Sequence, residues 1–151
     1  LAIEVCKQRG LKNALNNSIS EIHKFKPNSF DTILMLGHNF GLFCSPKKAE
    51  ILLKKMKRIS SPQAYIIAES NDLYKTDNPV HLEYYQLNRN RGRMAGQLRM
   101  RIRYKNFIGK WFDYLFVSKT EMINFFKNSG WKIIQFIDSE NSSYIAIIEK
   151  I

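Results

Sequence analysis

The stretch Phe30-Asp31-Thr32-Ile33-Leu34-Met35-Leu36-Gly37-His38-Asn39-Phe40-Gly41 decides the fold. Residues 32–36 are apolar without alternation, the pattern of a strand buried on both faces, as in parallel sheets covered by helices. The run stops at Gly37, His38 and Asn39. In open α/β sheets ligands bind just beyond the carboxyl ends of the strands, so these residues are the first candidate site, with a plain turn as the competing reading.

Downstream, Ser45-Pro46 supplies an N-cap followed by proline at the first helical position. Ala49, Leu52, Leu53 and Met56 follow at helical spacing, which predicts a helix to about Arg58. Ser61-Pro62 breaks it, and residues 64–68 read as a second buried strand ending in Glu69, Ser70, Asn71 and Asp72. Two buried strands joined by a helix make a right-handed βαβ unit, which places both polar ends on one rim. Residues 37–39 and 69–72 are therefore expected to face a common crevice.

Upstream, residues 1–9 read as a helix carrying Ala2, Val5 and Cys6 on one face and stopped by Gly10, and residues 11–19 as a short strand. A chain that opens inside a helix on Leu1 is expected to continue upstream. The segment 84–112 holds no acid yet carries Arg89, Arg91, Arg93, Arg99, Arg101, Arg103, Lys105 and Lys110. From residue 98 the arginines alternate with Leu98, Met100, Ile102 and Tyr104, which predicts Arg99, Arg101 and Arg103 on one face of a strand. A turn at 106–109 and a returning strand at 111–117 would complete a β-hairpin. Tyr84, Tyr85, Trp111, Phe112, Tyr114 and Phe116 are expected to be its packing core or a lid over a ligand. Ser118-Lys119-Thr120-Glu121 is a capping box, with Met122, Phe125 and Phe126 as the apolar stripe of a helix stopped by Gly130. Residues 131–137 and 144–148 read as a closing antiparallel pair of strands.

Composition narrows the function classes. The 151 residues, 44% hydrophobic, suffice for one cored domain, and 24 Lys+Arg against 13 Asp+Glu give a net charge of +11 that suits an anionic partner. Cys6 and Cys44 stand apart with no metal-ligand spacing around them, which indicates neither zinc nor a disulfide framework and suits a reducing, cytoplasmic setting. No apolar run reaches the roughly 20 residues of a membrane span, so no membrane partner is expected.

In element order and motifs the chain resembles the class I S-adenosylmethionine-dependent methyltransferases. The motifs are residues 30–37, similar to that family's fourth strand, Gly130-Trp131-Lys132-Ile133-Ile134, similar to the start of its sixth, and residues 144–150, similar to its seventh. The resemblance implies a Rossmann-like α/β sheet, parallel except for an antiparallel last strand inserted between the fifth and sixth. The first two strands would be lacking. Residues 1–151 would form a single truncated domain, with 84–117 an inserted, Arg-rich, substrate-side β-hairpin.

For the site, the resemblance implies an S-adenosyl-L-methionine cofactor in contact with Leu36, with Gly37 and His38 near its methionine end and Ser18 and Ile19 near its adenine. Asn39 would line the acceptor side. His38 is the candidate general base, or else a pocket wall, since a dedicated base is optional. Glu69, Arg99, Arg101, Arg103 and Trp111 are candidate contacts to a methyl acceptor that is a small molecule, a protein or RNA. The family's glycine-rich loop belongs to the first two strands, and no Gly-x-Gly pattern occurs here. The 151 residues alone are thus expected to be inactive. The edge of the strand at 32–36 would be left open, for upstream residues or a second copy in a homodimer to cover. The competing expectation is a non-catalytic nucleic-acid-binding or scaffold module using the basic hairpin.

Overall fold

The computed structural model describes residues 1–151. A helix α1 (Ala2–Gln8) and a 3-10 turn (Ile19–Lys24) lead into strand β1 (Phe30–Met35). A second 3-10 turn (Asn39–Phe43) and helix α2 (Pro46–Ile59) connect it to β2 (Ser60–Asn71). Then come α3 (Pro79–Asn90), β3 (Gln97–Met100), β4 (Arg103–Tyr104), β5 (Phe107–Ile108) and β6 (Phe112–Leu115). Helix α4 (Lys119–Phe126) and strands β7 (Trp131–Asp138) and β8 (Ser143–Lys150) complete the chain.

The main sheet has the order β1-β2-β8-β7. Strands β1 and β2 are parallel, with Met35 opposite Ala68, while β8 runs antiparallel to both β2 and β7. The antiparallel strand thus enters between two strands of the common direction, as the resemblance implies. Ser45 caps α2 by accepting from the Lys48 N–H, and Pro46 is its first residue. The capping box at Ser118 and Glu121 is present in both directions, although α4 ends at Phe126, before Gly130.

The core lies on one face of this sheet. Ala49, Leu52, Leu53 and Met56 of α2, with Met122 and Phe126 of α4, close over Met35, Ile66, Ala146, Ile148 and Trp131. Phe40 and Phe43 of the second 3-10 turn are fully buried in the same cluster. Side chains alternating with these on the sheet are only half-buried, among them Ile67, Ile145 and Ile147. On β1 the alternation is strongest: Met35 is buried while Leu34 is 63% exposed. The expectation of a strand buried on both faces is therefore corrected, because β1 is the edge of the sheet and α2 covers one side only.

Other corrections follow from packing that the local pattern does not report. Residues 11–18 form no strand, and α1 buries no side chain. Helix α3 was not expected, although Asn78 caps it through the Val80 N–H and Pro79 opens it. The basic segment forms an arm of two short ladders, β3 on β6 and β4 on β5, with the chain reversing at Lys105-Asn106 and not at 106–109. The ladder breaks at Arg101-Ile102, so 98–104 is not one continuous strand. Trp111 and Phe112 are exposed on this arm and do not form a packed hairpin core.

Candidate active site at the strand ends

The two parallel strands end side by side, and their first polar residues meet. The backbone reverses at Gly37 and His38, both left-handed with φ of 66° and 61°. Two such residues in succession turn β1 sharply into the 3-10 turn, and at His38 the conformation costs an L-residue about 1–2 kcal/mol. The Gly37 N–H donates to Glu69 Oε2 at 2.6 Å. The other carboxylate oxygen lies 3.4 Å from His38 Nδ1, off the axis of a hydrogen bond, and that nitrogen is buried with no partner. One carboxylate thus spans the ends of both strands.

The arm supports this rim from behind. Tyr114 donates its hydroxyl to the His38 carbonyl at 2.7 Å, and burial, reinforced by Glu69 and Cys44, holds that hydroxyl above the usual tyrosine range, so it remains a donor. The Tyr114 ring lies directly on Gly41, where a Cβ would overlap it. Phe116 packs edge-on against Tyr114 at 5.5 Å and against the His38 ring at 5.8 Å. An aromatic row therefore leads from the arm to the imidazole.

Two hollows flank the rim. An apolar groove of about 240 Å³ runs along β1, lined by Ile19, Ile33, Met35, Asn39 and Leu42. On the other side, a cleft of about 500 Å³ opens between the end of β2, α3 and β3, with Asn71, Tyr84, Tyr85, Arg99 and Phe116 in its walls.

The structure brings together only some of the expected site residues. Gly37, His38 and Glu69 are in contact, with Leu36 in the turn beside them. Ile19 and Asn39 line the same groove. Ser18 is an exposed N-cap whose Oγ accepts from the Ser20 N–H. Arg99 lines the cleft, 3.8 Å from Asp113, whereas Arg101 covers the exposed Trp111 ring at 4.7 Å and Arg103 is exposed on β4. The three arginines thus stand in three different surroundings. Sequence reasoning gave Asn71 no role beyond its place in the polar end of the second strand, facing the crevice, and missed Gly41. For Gly41 there was no signal, since its partner Tyr114 is distant in the chain.

No family model and no curated protein matches the sequence. Solved structures do match. A SAM-dependent methyltransferase from Bacteroides fragilis, crystallised in complex with S-adenosyl-L-homocysteine, superposes with a TM-score of 0.79 at 25% identity over 99% of this chain. This chain spans 59% of the length of that protein. A SAM-dependent methyltransferase from Methanosarcina mazei matches with a TM-score of 0.69 at 15% identity, over 99% of this chain and 77% of its own. With β8 antiparallel between β2 and β7 and the polar rim at the ends of β1 and β2, the chain has the Rossmann-like fold of the class I S-adenosylmethionine-dependent methyltransferases.

Proposed function

We propose that this chain forms the substrate-side and C-terminal part of an S-adenosylmethionine-dependent methyltransferase domain. The observation that carries the reading is the rim of Gly37, His38 and Glu69 between a groove and a cleft, in a fold shared with a protein crystallised with S-adenosylhomocysteine.

The residues present fit one side of that cofactor. A Cβ at Gly37 would meet nothing within 4 Å, so there is open space beside the backbone there. The Glu69 carboxylate suits a cationic ligand. Ile19 would give the apolar contact for an adenine, with Ser18 at its margin, while Gly37 and His38 would hold the methionine end beside Leu36. When bound, the cofactor supplies an electrophilic methyl group on a sulfonium.

The chain's own part is positioning and exclusion of water, which supply much of the acceleration in an in-line displacement. Tyr114 and the turn at 37–38 fix the imidazole. Its Nδ1 faces Glu69, leaving the other ring nitrogen to take a proton from the acceptor, with the carboxylate stabilising the imidazolium. Arg99, on the wall of the cleft, contacts the acceptor, while Arg101, Arg103 and Trp111 act from the arm at its margin.

The test is calorimetric titration of the gene's full translation product with S-adenosylmethionine and S-adenosylhomocysteine. Saturable binding of both is expected. Glu69→Gln should weaken binding of the cationic S-adenosylmethionine more than that of the neutral-sulfur product. Absence of heat with either ligand would overturn the reading.

A further inference from the structure

We infer that the cleft beside the rim takes a small planar aromatic acceptor carrying an anionic substituent, an inference that rests on the methyl-transfer reading. Its walls are flat: Tyr84 and Tyr85 come from α3 and Phe116 from the segment after β6. Aromatic faces and edges favour a ring over an aliphatic chain of equal size, and about 500 Å³ admits one or two fused rings. Phe116 is the same ring that packs against His38, so a ligand seated on it lies next to the rim. The wall is held in place, since the Arg99 N–H donates to the Tyr84 hydroxyl at 3.2 Å and ties α3 to the arm.

The polar groups select the substituents. Asn71 reaches the cleft from the end of β2, and its side chain makes no hydrogen bond within the chain, with Oδ1 buried and unpartnered. A buried carbonyl oxygen without a donor is costly, and rotation of the amide lets Asn71 serve either a donor or an acceptor on a bound ring. Lys75 and Arg99 both line the cleft. The acid among the lining residues is Asp72, whose Oδ1 already accepts the Tyr74 N–H at 3.1 Å. Arg99, itself exposed, has only the half-buried Asp113 at 3.8 Å, a pair too weak to withhold its guanidinium from a carboxylate.

The experiment titrates the gene's full translation product, without cofactor, against 2-aminobenzoate, aniline and cyclohexanecarboxylate by ligand-observed NMR. 2-Aminobenzoate should bind at least about tenfold more tightly than aniline, which lacks the anion, and than cyclohexanecarboxylate, which lacks the flat ring. A Lys75→Ala/Arg99→Ala double variant should bring 2-aminobenzoate down to the level of aniline and leave aniline itself unchanged. Asn71→Ala should weaken 2-aminobenzoate several-fold, with Asn71→Ser as the second variant should the first unfold. Equal affinity for all three probes, no saturable binding of 2-aminobenzoate, or a double variant that binds it like the parent would each overturn the acceptor class. Cofactor binding is read separately: heat with S-adenosylmethionine but no aromatic binding breaks only this inference, and no heat breaks the methyl-transfer reading beneath it.

Discussion

The two tryptophans stand for two kinds of structure in one chain. Trp131, at the start of β7, is 2% exposed, surrounded by α2 and α4, and donates its indole N–H to the Leu53 carbonyl at 3.3 Å. Trp111, on the arm, is 53% exposed and has the Arg101 guanidinium over its ring. Both residues read as apolar and strand-forming. The difference is what covers them: helices pack over the face of the main sheet, whereas the arm is a pair of two-stranded ladders too thin to bury both sides. Stability therefore resides in the sheet and α2, and the arm contributes contacts at the rim.

That contrast can be broken in a graded way. Trp131→Ala should cost about 3–5 kcal/mol, as expected for removing a large buried aromatic. A denaturant midpoint close to that of the parent would show that the core is not centred on β7. Next in size is Gly41→Ala, at about 1–3 kcal/mol, because the new methyl must displace Tyr114 and with it the bond to the His38 carbonyl. If that contact is the cause, adding Tyr114→Ala should recover part of the loss. Additive losses in the double variant would disprove it.

Tyr144 tests the core from the side of pH. It is fully buried and donates to the Val117 carbonyl at 2.7 Å, and burial holds its hydroxyl far above the usual value near 10. A folded-state pKa above the unfolded one gives stability that is complete below the unfolded value and lost as pH rises through it toward the folded one. Melting temperature should thus fall above about pH 10, and Tyr144→Phe should flatten that fall while costing about 1 kcal/mol at neutral pH. An unchanged alkaline profile in the variant would remove Tyr144 as its source. The smallest effect is expected on the arm, where Trp111→Ala should move stability by no more than about 0.5 kcal/mol. A loss of several kcal/mol there would erase the distinction between the two regions.

Legibility in the sequence followed the same division. Helices α2 and α4 were readable because a cap and an apolar stripe are local, and β1-α2-β2 followed from their order. Helix α3 was not, because Val80, Leu82 and Leu87 are exposed and present no stripe. It is anchored by the buried Asn88, whose amide donates to the carbonyls of Ala95 and Gln97 at 2.9 and 3.0 Å. At the site, Gly37, His38 and Glu69 were readable because strand ends in a βαβ unit share a rim. The same argument placed Asn71 at the crevice, whereas the bond from Tyr114 to the His38 carbonyl was not readable, since it depends on an arm whose docking no local pattern encodes.

The sequence by itself determined the elements with local signals: the capped helices, the parallel pair around α2, the closing antiparallel strands and the polar mouth of β1. These depend on spacing, caps and turns within a few residues. Only the tertiary structure decided which face of β1 is covered, where the arm bends, that Gly41 makes room for Tyr114, and that Arg99 enters the cleft while Arg101 and Arg103 stay outside. Each of these is a contact between residues far apart in the chain. Periodicity marks a side chain as apolar or charged, but what packs against it is settled only when the layers come together.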